Sequence, residues 1–227
     1  MNLLPHTRYE RKLLAPGFTT EEALSLIRRH SAGFREAYPE RIVNNIYLDS
    51  PSLASYYEHV NGTANRVKVR VRWYGEPAGR VENPMLEEKV KRGAVSGKLT
   101  HVLPALALNG VPVHCCLERA FNGTGLPEAL RASLRHLEPS LFNRYRRRYY
   151  VSADGRFRLT LDTALRFARL RKNSPAPAYL LEGASPPIIE LKYLPAEAER
   201  AAAITNEFPF RVVRCSKYVL GIEQAPA

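Results

Sequence analysis

One stretch constrains this chain more than any other. Residues Arg66 to Tyr74 read RVKVRVRWY. The period is strictly two, which a helix cannot use, so the stretch reads as a strand. Arg66, Lys68, Arg70 and Arg72 then share one face, and Val67, Val69 and Val71 share the other. One such strand is explained by an antiparallel sheet with a wet face. The pattern recurs, however, in Arg8/Glu10/Lys12, Glu87/Lys89/Lys91, Arg158/Thr160/Asp162 and Glu190/Lys192. Five ionisable strand faces fit a closed barrel, in which alternate residues all point into one lumen, better than an open sheet. The fold expected is therefore α+β: an antiparallel β-barrel, or tunnel, with a basic lumen and an apolar exterior covered by helices.

Strands are expected at about 6–14, 42–48, 65–74, 84–92, 142–151, 156–168, 188–193 and 211–214, with a weaker one at 178–182. Thr19 and Glu22 have the spacing of a capping box and open a helix. Pro51–Val60, Leu126–Leu137 and Pro195–Phe208 are further helix candidates, and Leu99–Leu108 is a helix interrupted at Pro104. Leu126, Leu130, Leu134 and Leu137 form one apolar stripe. No linker is long enough to divide the chain, so residues 1–227 are expected to form a single domain.

Charge points to the partner. The chain of 227 residues carries 34 Lys+Arg against 22 Asp+Glu, a net charge of +12. A polyanion is implied: nucleic acid, anionic lipid or polyphosphate. The composition excludes a disordered or collagenous chain, and no apolar run is long enough for a membrane helix. The start MNLLPHTRYERK has no signal-peptide pattern, and the three cysteines make no disulfide framework, so a cytoplasmic setting is expected. His114-Cys115-Cys116 lacks a second ligand pair for zinc. The sequons at Asn61 and Asn122 read as turn chemistry, and no P-loop is present.

A lumen of arginines and lysines suits a linear phosphate polymer, since Arg forks onto phosphate oxygens and Lys acts as a compact charge. Acids within it must be paired or metal-bound. Glu10, Glu87 and Glu190 are thus either ion-pair partners or oxygen ligands for Mg²⁺ or Mn²⁺.

The ordered set RYERK, RVKVRVRWYG, LEEKVKRG, RYRRRYYVS, RLTLD, IIELKY and SKYVLG resembles the VTC (vacuolar transporter chaperone) polyphosphate polymerase domain. That domain belongs to the triphosphate tunnel metalloenzyme superfamily, also called CYTH-like. The resemblance runs from about Arg8 to Gly221. It implies an antiparallel tunnel of about eight strands, a divalent metal (Mn²⁺ or Mg²⁺), and transfer of the ATP γ-phosphate to a growing polyphosphate chain. By the same resemblance, Lys12 meets the transferring phosphate. Arg70, Arg72, Lys89, Lys98, Arg147, Arg158, Lys192 and Lys217 grip phosphates, and Glu190 holds the metal with Glu10 as a second ligand. Arg8, Arg66, Lys68, Glu87 and Lys91 complete the lumen by parity.

The chain departs from that pattern where hydrolytic relatives open with E-x-E-x-K: Arg8 replaces the first acid and Glu10 remains. Two other functions therefore stay open: a tripolyphosphatase or nucleoside triphosphatase with water as acceptor, and a non-catalytic polyphosphate or nucleic-acid module. Nucleic acid is disfavoured because the basic faces interleave with Val and Leu rather than with stacking aromatics. Arg144, Arg146 and Arg148 alternate on the face opposite Arg147 and read as an outer, solvated patch.

Overall fold

The computed structural model describes residues 8–92, 95–175, 181–182 and 185–225. Chain order is β1 (Tyr9–Leu14), α1 (Thr20–Arg29), β2 (Arg35–Asp49), α2 (Ala54–Val60), β3 (Asn65–Tyr74), β4 (Gly79–Val81), β5 (Met85–Arg92), β6 (Val95–Val102) and β7 (Leu106–Leu108). It continues α3 (Val113–Asn122), α4 (Glu128–Leu134), β8 (Glu138–Val151), β9 (Arg158–Arg169), β10 (Leu181–Glu182), β11 (Ile188–Tyr193), a 3₁₀ turn at Pro195–Glu197, α5 (Ala198–Asn206) and α6 (Lys217–Gln224).

The main sheet has the hydrogen-bonded order β1-β11-β9-β8-β2-β3-β5-β6, with β10 beside β9, and β4 pairs with β7 separately. The ladders β1·β11, β11·β9, β2·β3, β3·β5 and β5·β6 are antiparallel. The α+β class and the strand number are as expected. The path itself is open: among the described residues no ladder joins β6 to β1. No helix among the described residues is long and apolar enough to cross a membrane.

The chain forms two compact units. The first comprises Met1–Arg41, Tyr145–Leu165 and Gly183–Ser216, and the second Ile42–Arg144, Arg166–Glu182 and Lys217–Ala227. Strands β2, β8 and β9 contribute residues to both. In the first unit, Leu13, Leu159, Leu161, Ile189 and Leu191 bury one sheet face under Ala23, Leu24 and Ile27 of α1 and Ala201 and Ile204 of α5. Helix α1 starts where expected: the Thr19 hydroxyl caps the Glu22 N–H, and the Glu22 carboxylate accepts from the Thr19 N–H at 2.7 Å.

In the second unit, Val69, Val71 and Trp73 of β3 are buried with Ile46, Leu48 and Leu86 under Val113, Leu117 and Phe121 of α3 and Leu130 and Leu134 of α4. Val67, at the end of the valine row, is 39% exposed. The cationic side chains of β3 therefore occupy the sheet face away from this core.

Several expectations need correcting. Leu99–Leu108 is not a helix: its first part completes β6 and its end is β7. Lys98, Thr100 and Val102 alternate with Leu99 and His101, and β5 offers β6 a full ladder. The strand expected at 211–214 is a single bridge, Val212 to Leu13. Helix α2 begins at Ala54 rather than Pro51, because Leu53 takes a left-handed φ of 56°. Of the weak strand at 178–182, only 181–182 lie among the described residues. Helices α3 and α6 were not anticipated.

Candidate functional site

The expected site residues gather into two clusters, one in each unit. The first is built on β1, β11, β9 and β8. Register places Lys12 opposite Glu190, Glu10 opposite Lys192, Glu190 opposite Thr160 and Lys192 opposite Arg158. The Lys12 ammonium lies 2.8 Å from Glu10 Oε1 and 3.5 Å from Glu190 Oε1, and donates to the Cys215 carbonyl at 3.1 Å. Glu190 Oε2 lies 3.4 Å from Arg147 Nη2 and 3.7 Å from Lys192 Nζ. Glu190 thus stands among three cations, the ion-pair arrangement that competes with metal ligation.

Arg147 is also forked onto Asp162, with Nε–Oδ1 at 2.5 Å and Nη2–Oδ2 at 2.6 Å. Both are buried, at 7% and 0% exposure, and the Tyr145 ring lies 5.3 Å from the guanidinium. Burial pulls the Arg147 pKa down, but Asp162, Tyr145 and Glu190 outweigh it and hold the group well above its ordinary value. Burial pulls Lys192 below its ordinary value despite Glu190 beside it. Arg8 and Arg158 are exposed.

The second cluster lies on the cation-bearing face of β3, β5 and β6. Cross-strand partners there are Arg66–Lys91, Lys68–Lys89, Arg70–Glu87 and Lys89–Lys98. Three lysines, Lys68, Lys89 and Lys98, therefore stand abreast on adjacent strands. Like charges directly opposite destabilise a sheet; here the Lys98 ammonium is offset by Glu87 at 2.9 Å, and Lys68 lies 3.5 Å from His59 Nε2. Glu87, 3% exposed, is the only acid in these pairs. Its carboxylate meets Arg70 at 2.6 Å, Lys98 at 2.9 Å and Arg72 at 3.6 Å. Burial raises the Glu87 pKa, but Arg70, Arg72 and Lys98 overcome that and bring it from 4.5 to about 2.

Lys217 opens α6 and is 8% exposed. Its neighbour Tyr218 donates to Asp49 Oδ2 at 2.5 Å and stacks on Tyr47 at 4.9 Å, and the Tyr47 hydroxyl accepts from Arg70 at 3.4 Å. Two arginines of the outer patch, Arg146 and Arg148, pair with Glu40 at 3.8 and 2.8 Å.

Sequence reasoning missed Asp162, Asn45 and Tyr47 as site neighbours. Asp162 had a signal, since it alternates with Arg158 and Thr160. Asn45 and Tyr47 join only through register, which puts them opposite Arg72 and Arg70.

Glu10 and Glu190 are the residues suited to a divalent metal. Their carboxylates converge on one ammonium, that of Lys12, and supply the hard oxygens such ions prefer. No group of three or more candidate ligands occurs among the described residues. The donor set fits an ion held jointly by one or two carboxylates, phosphate oxygens and water, rather than by protein alone. His114 and Cys115 touch at 3.3 Å but join no such group.

The family profile described as VTC domain matches residues 7–225. The chain belongs to the VTC-domain family. Solved structures with a similar fold include the PH1819 protein from Pyrococcus horikoshii OT3, at 15% identity and a TM-score of 0.52, covering 96% of this chain and 99% of that one. A candidate adenylate cyclase from Vibrio parahaemolyticus matches at 14% identity and a TM-score of 0.53, covering 95% of this chain and 98% of that one. HpAC1 from Hippeastrum, described as a candidate adenylyl cyclase with a dominant triphosphatase activity, matches at 14% identity and a TM-score of 0.52, covering 98% of each chain. No curated protein sequence matches the chain. This VTC domain has the CYTH-like, triphosphate-tunnel fold.

Proposed function

We propose that this VTC domain is an ATP-dependent polyphosphate polymerase that passes the ATP γ-phosphate to a growing phosphate chain. The observation that carries the reading is the cation-bearing face of β3, β5 and β6, where Lys68, Lys89 and Lys98 stand abreast beside Arg70 and Arg72, and the buried Glu87 pairs with Arg70, Arg72 and Lys98. Such a face suits a linear polyanion, whose charges repeat at intervals a strand ladder can follow.

Phosphoryl transfer asks the protein mainly for alignment and charge neutralisation. Arg70, Arg72, Lys89 and Lys98 would grip phosphate oxygens. In the first unit Lys12 would meet the transferring phosphate, with Arg147 and Lys192 beside it. Arg147 is oriented by its fork onto Asp162 and by Glu190. Glu190 and Glu10 would hold a divalent ion, which when bound supplies further neutralisation of the phosphate oxygens.

A second reading, hydrolysis of triphosphate, is supported by the retention of Glu10 against Lys12 and by the triphosphatase activity ascribed to HpAC1. Incubation with ATP and Mn²⁺ separates the readings. Long polymer plus ADP is the expected result. Free phosphate without polymer would give the hydrolase, and cyclic AMP or no turnover would overturn both.

A further inference from the structure

Thr160 sits within the first cluster, yet its hydroxyl bonds to nothing there. It lies directly opposite Glu190 in the ladder between β9 and β11. Leu159 and Leu161 on either side are fully buried in the core of the first unit. The Thr160 side chain therefore shares the opposite sheet face with Arg158 and Asp162. Thr160 is 7% exposed. Its hydroxyl oxygen is buried and has no hydrogen-bond partner among the described residues. Other buried hydroxyls find acceptors. Ser140 donates to the Tyr47 carbonyl at 3.0 Å, Ser152 to Asp154 Oδ1 at 2.6 Å and Thr205 to the Ala201 carbonyl at 2.9 Å.

Strand propensity does not account for this residue. Valine has the same branched shape, suits a strand at least as well and would bury no polar atom. A buried hydroxyl that bonds to nothing costs free energy in the folded protein, a cost that valine would avoid. The acceptor that register sets opposite it is the Glu190 carboxylate, since such cross-strand pairs have Cβ atoms about 4.5–5.5 Å apart. Glu190 is turned toward cations, 3.5 Å from Lys12, 3.4 Å from Arg147 and 3.7 Å from Lys192. Each of these distances exceeds the roughly 2.7–2.9 Å of a charge-assisted hydrogen bond. Asp162, by contrast, is gripped by Arg147 at 2.5 and 2.6 Å. Glu190 thus stands loosely against these three cations, beside a donor it does not use.

We propose that Thr160 is a positioning residue for Glu190: its hydroxyl holds the carboxylate once phosphate has drawn the cations away. Phosphate oxygens arriving at Lys12, Arg147 and Lys192 compete with Glu190 for their hydrogen bonds. A carboxylate that lost those partners would be repelled by the phosphate unless a donor and a divalent ion kept it in place. Thr160 supplies the donor, the kind of outer contact that commonly orients a metal-binding carboxylate. Its one O–H can bond one Glu190 oxygen and leaves the other to face the ion. The bond that offsets the buried hydroxyl then forms only in the complex with phosphate and metal. The inference rests on the reading of Glu190 as a metal ligand and adds the group that orients it.

The test is Mn²⁺ binding to the protein with diimidotriphosphate, whose bridging nitrogens resist hydrolysis, read from the loss of the free Mn²⁺ resonance. The thermal midpoint without either ligand is measured alongside. Thr160→Val keeps the shape and removes the hydroxyl. It is expected to unfold at or above the wild-type midpoint and to bind Mn²⁺ about tenfold more weakly, as loss of a group that orients a metal ligand predicts. Thr160→Ser keeps the hydroxyl and is expected to bind Mn²⁺ as wild type does. Thr160→Val binding Mn²⁺ as tightly as wild type would overturn the inference, and so would a serine variant as weak as the valine one. A midpoint below wild type for Thr160→Val would show that the hydroxyl is already bonded, and would overturn it as well. If the valine variant does not fold, Thr160→Ala and Thr160→Ser give the same comparison, since they differ only in the hydroxyl; equal Mn²⁺ affinities would then overturn the inference. Wild-type protein that adds nothing to the Mn²⁺ affinity of diimidotriphosphate alone would remove the metal reading of Glu190, and this inference with it.

Discussion

Replacing Glu87 by Gln tests whether the second cluster is built around one carboxylate. The ionised group is buried, and its pKa falls from 4.5 to about 2 through Arg70, Arg72 and Lys98. That displacement corresponds to roughly 3 kcal/mol of stability tied to the charged form. Breaking a fully buried ion pair costs about 3–5 kcal/mol. Here the lower end applies, because the side chains of Arg70 and Lys98 are 22% and 52% exposed and can take up water once released. For a chain of this size that loss lowers the thermal midpoint by about 10 °C.

The pH dependence has a definite sign. A carboxyl depressed in the folded state contributes stability that is complete above its ordinary pKa and is lost as pH falls through its folded pKa. The gap between wild type and Glu87→Gln should therefore be constant from pH 7 to about 5 and close between about 5 and 2. Tripolyphosphate should narrow the same gap at pH 7, since it supplies the missing negative charge, and the variant should bind it more tightly than wild type. Denaturation at several pH values, with and without tripolyphosphate, reads all three effects. If Glu87→Gln unfolds at the wild-type midpoint, or if the gap does not change with acid, Glu87 does not organise this face.

Asp162→Asn leaves Arg147 charged, buried and without its fork; a loss of about 3 kcal/mol or more is expected by denaturant titration. Glu190→Gln should keep the fold, abolish turnover and remove the Mn²⁺ dependence of ATP binding. A variant that instead only loses stability, with metal dependence intact, assigns Glu190 to its ion pairs with Lys12, Arg147 and Lys192. Gly221→Ala should destabilise by about 1–3 kcal/mol, because a Cβ there would run into the Leu141 side chain and reach 2.6 Å from Phe167 Cδ1. An unchanged midpoint would show that α6 can shift in its seat.

How far the sequence could be read depended on whether its signal was local. The face of β3 was legible because Arg and Val alternate without interruption. The start of α1 was legible because a capping box needs only Thr19 and Glu22. Residues 99–108 were misread because Leu, Ala and Pro104 suggested a broken helix, while the decisive fact, the edge of β5 that β6 pairs with, belongs to another part of the chain. Helix α3 was hidden by its own content: His114-Cys115-Cys116 drew attention as a metal pattern, whereas Val113, Cys116, Leu117 and Ala120 are the buried stripe of a helix. The Asn45–Asn143 hydrogen bond joins residues 98 positions apart and leaves no trace in spacing. For the same reason Asp162 was seen as a member of an alternating strand but not as the partner of Arg147.

The row Lys68, Lys89 and Lys98 also bears on how the protein behaves outside any reaction. Neighbouring strands run about 4.8 Å apart, well inside the Debye length of about 8 Å at physiological ionic strength. Like charges on strands that close repel one another, even where Glu87 offsets Lys98 at 2.9 Å. Most globular proteins lose surface attraction when salt is added. This sheet should gain from it, and gain most from multivalent anions that span adjacent lysines. Dilute chloride is then the least favourable buffer for the chain, and a trace of pyrophosphate or polyphosphate acts as a folding aid. The polymer it is proposed to make would in that sense also be its counterion, so that purification away from phosphate strips the molecule of a part of its own stability.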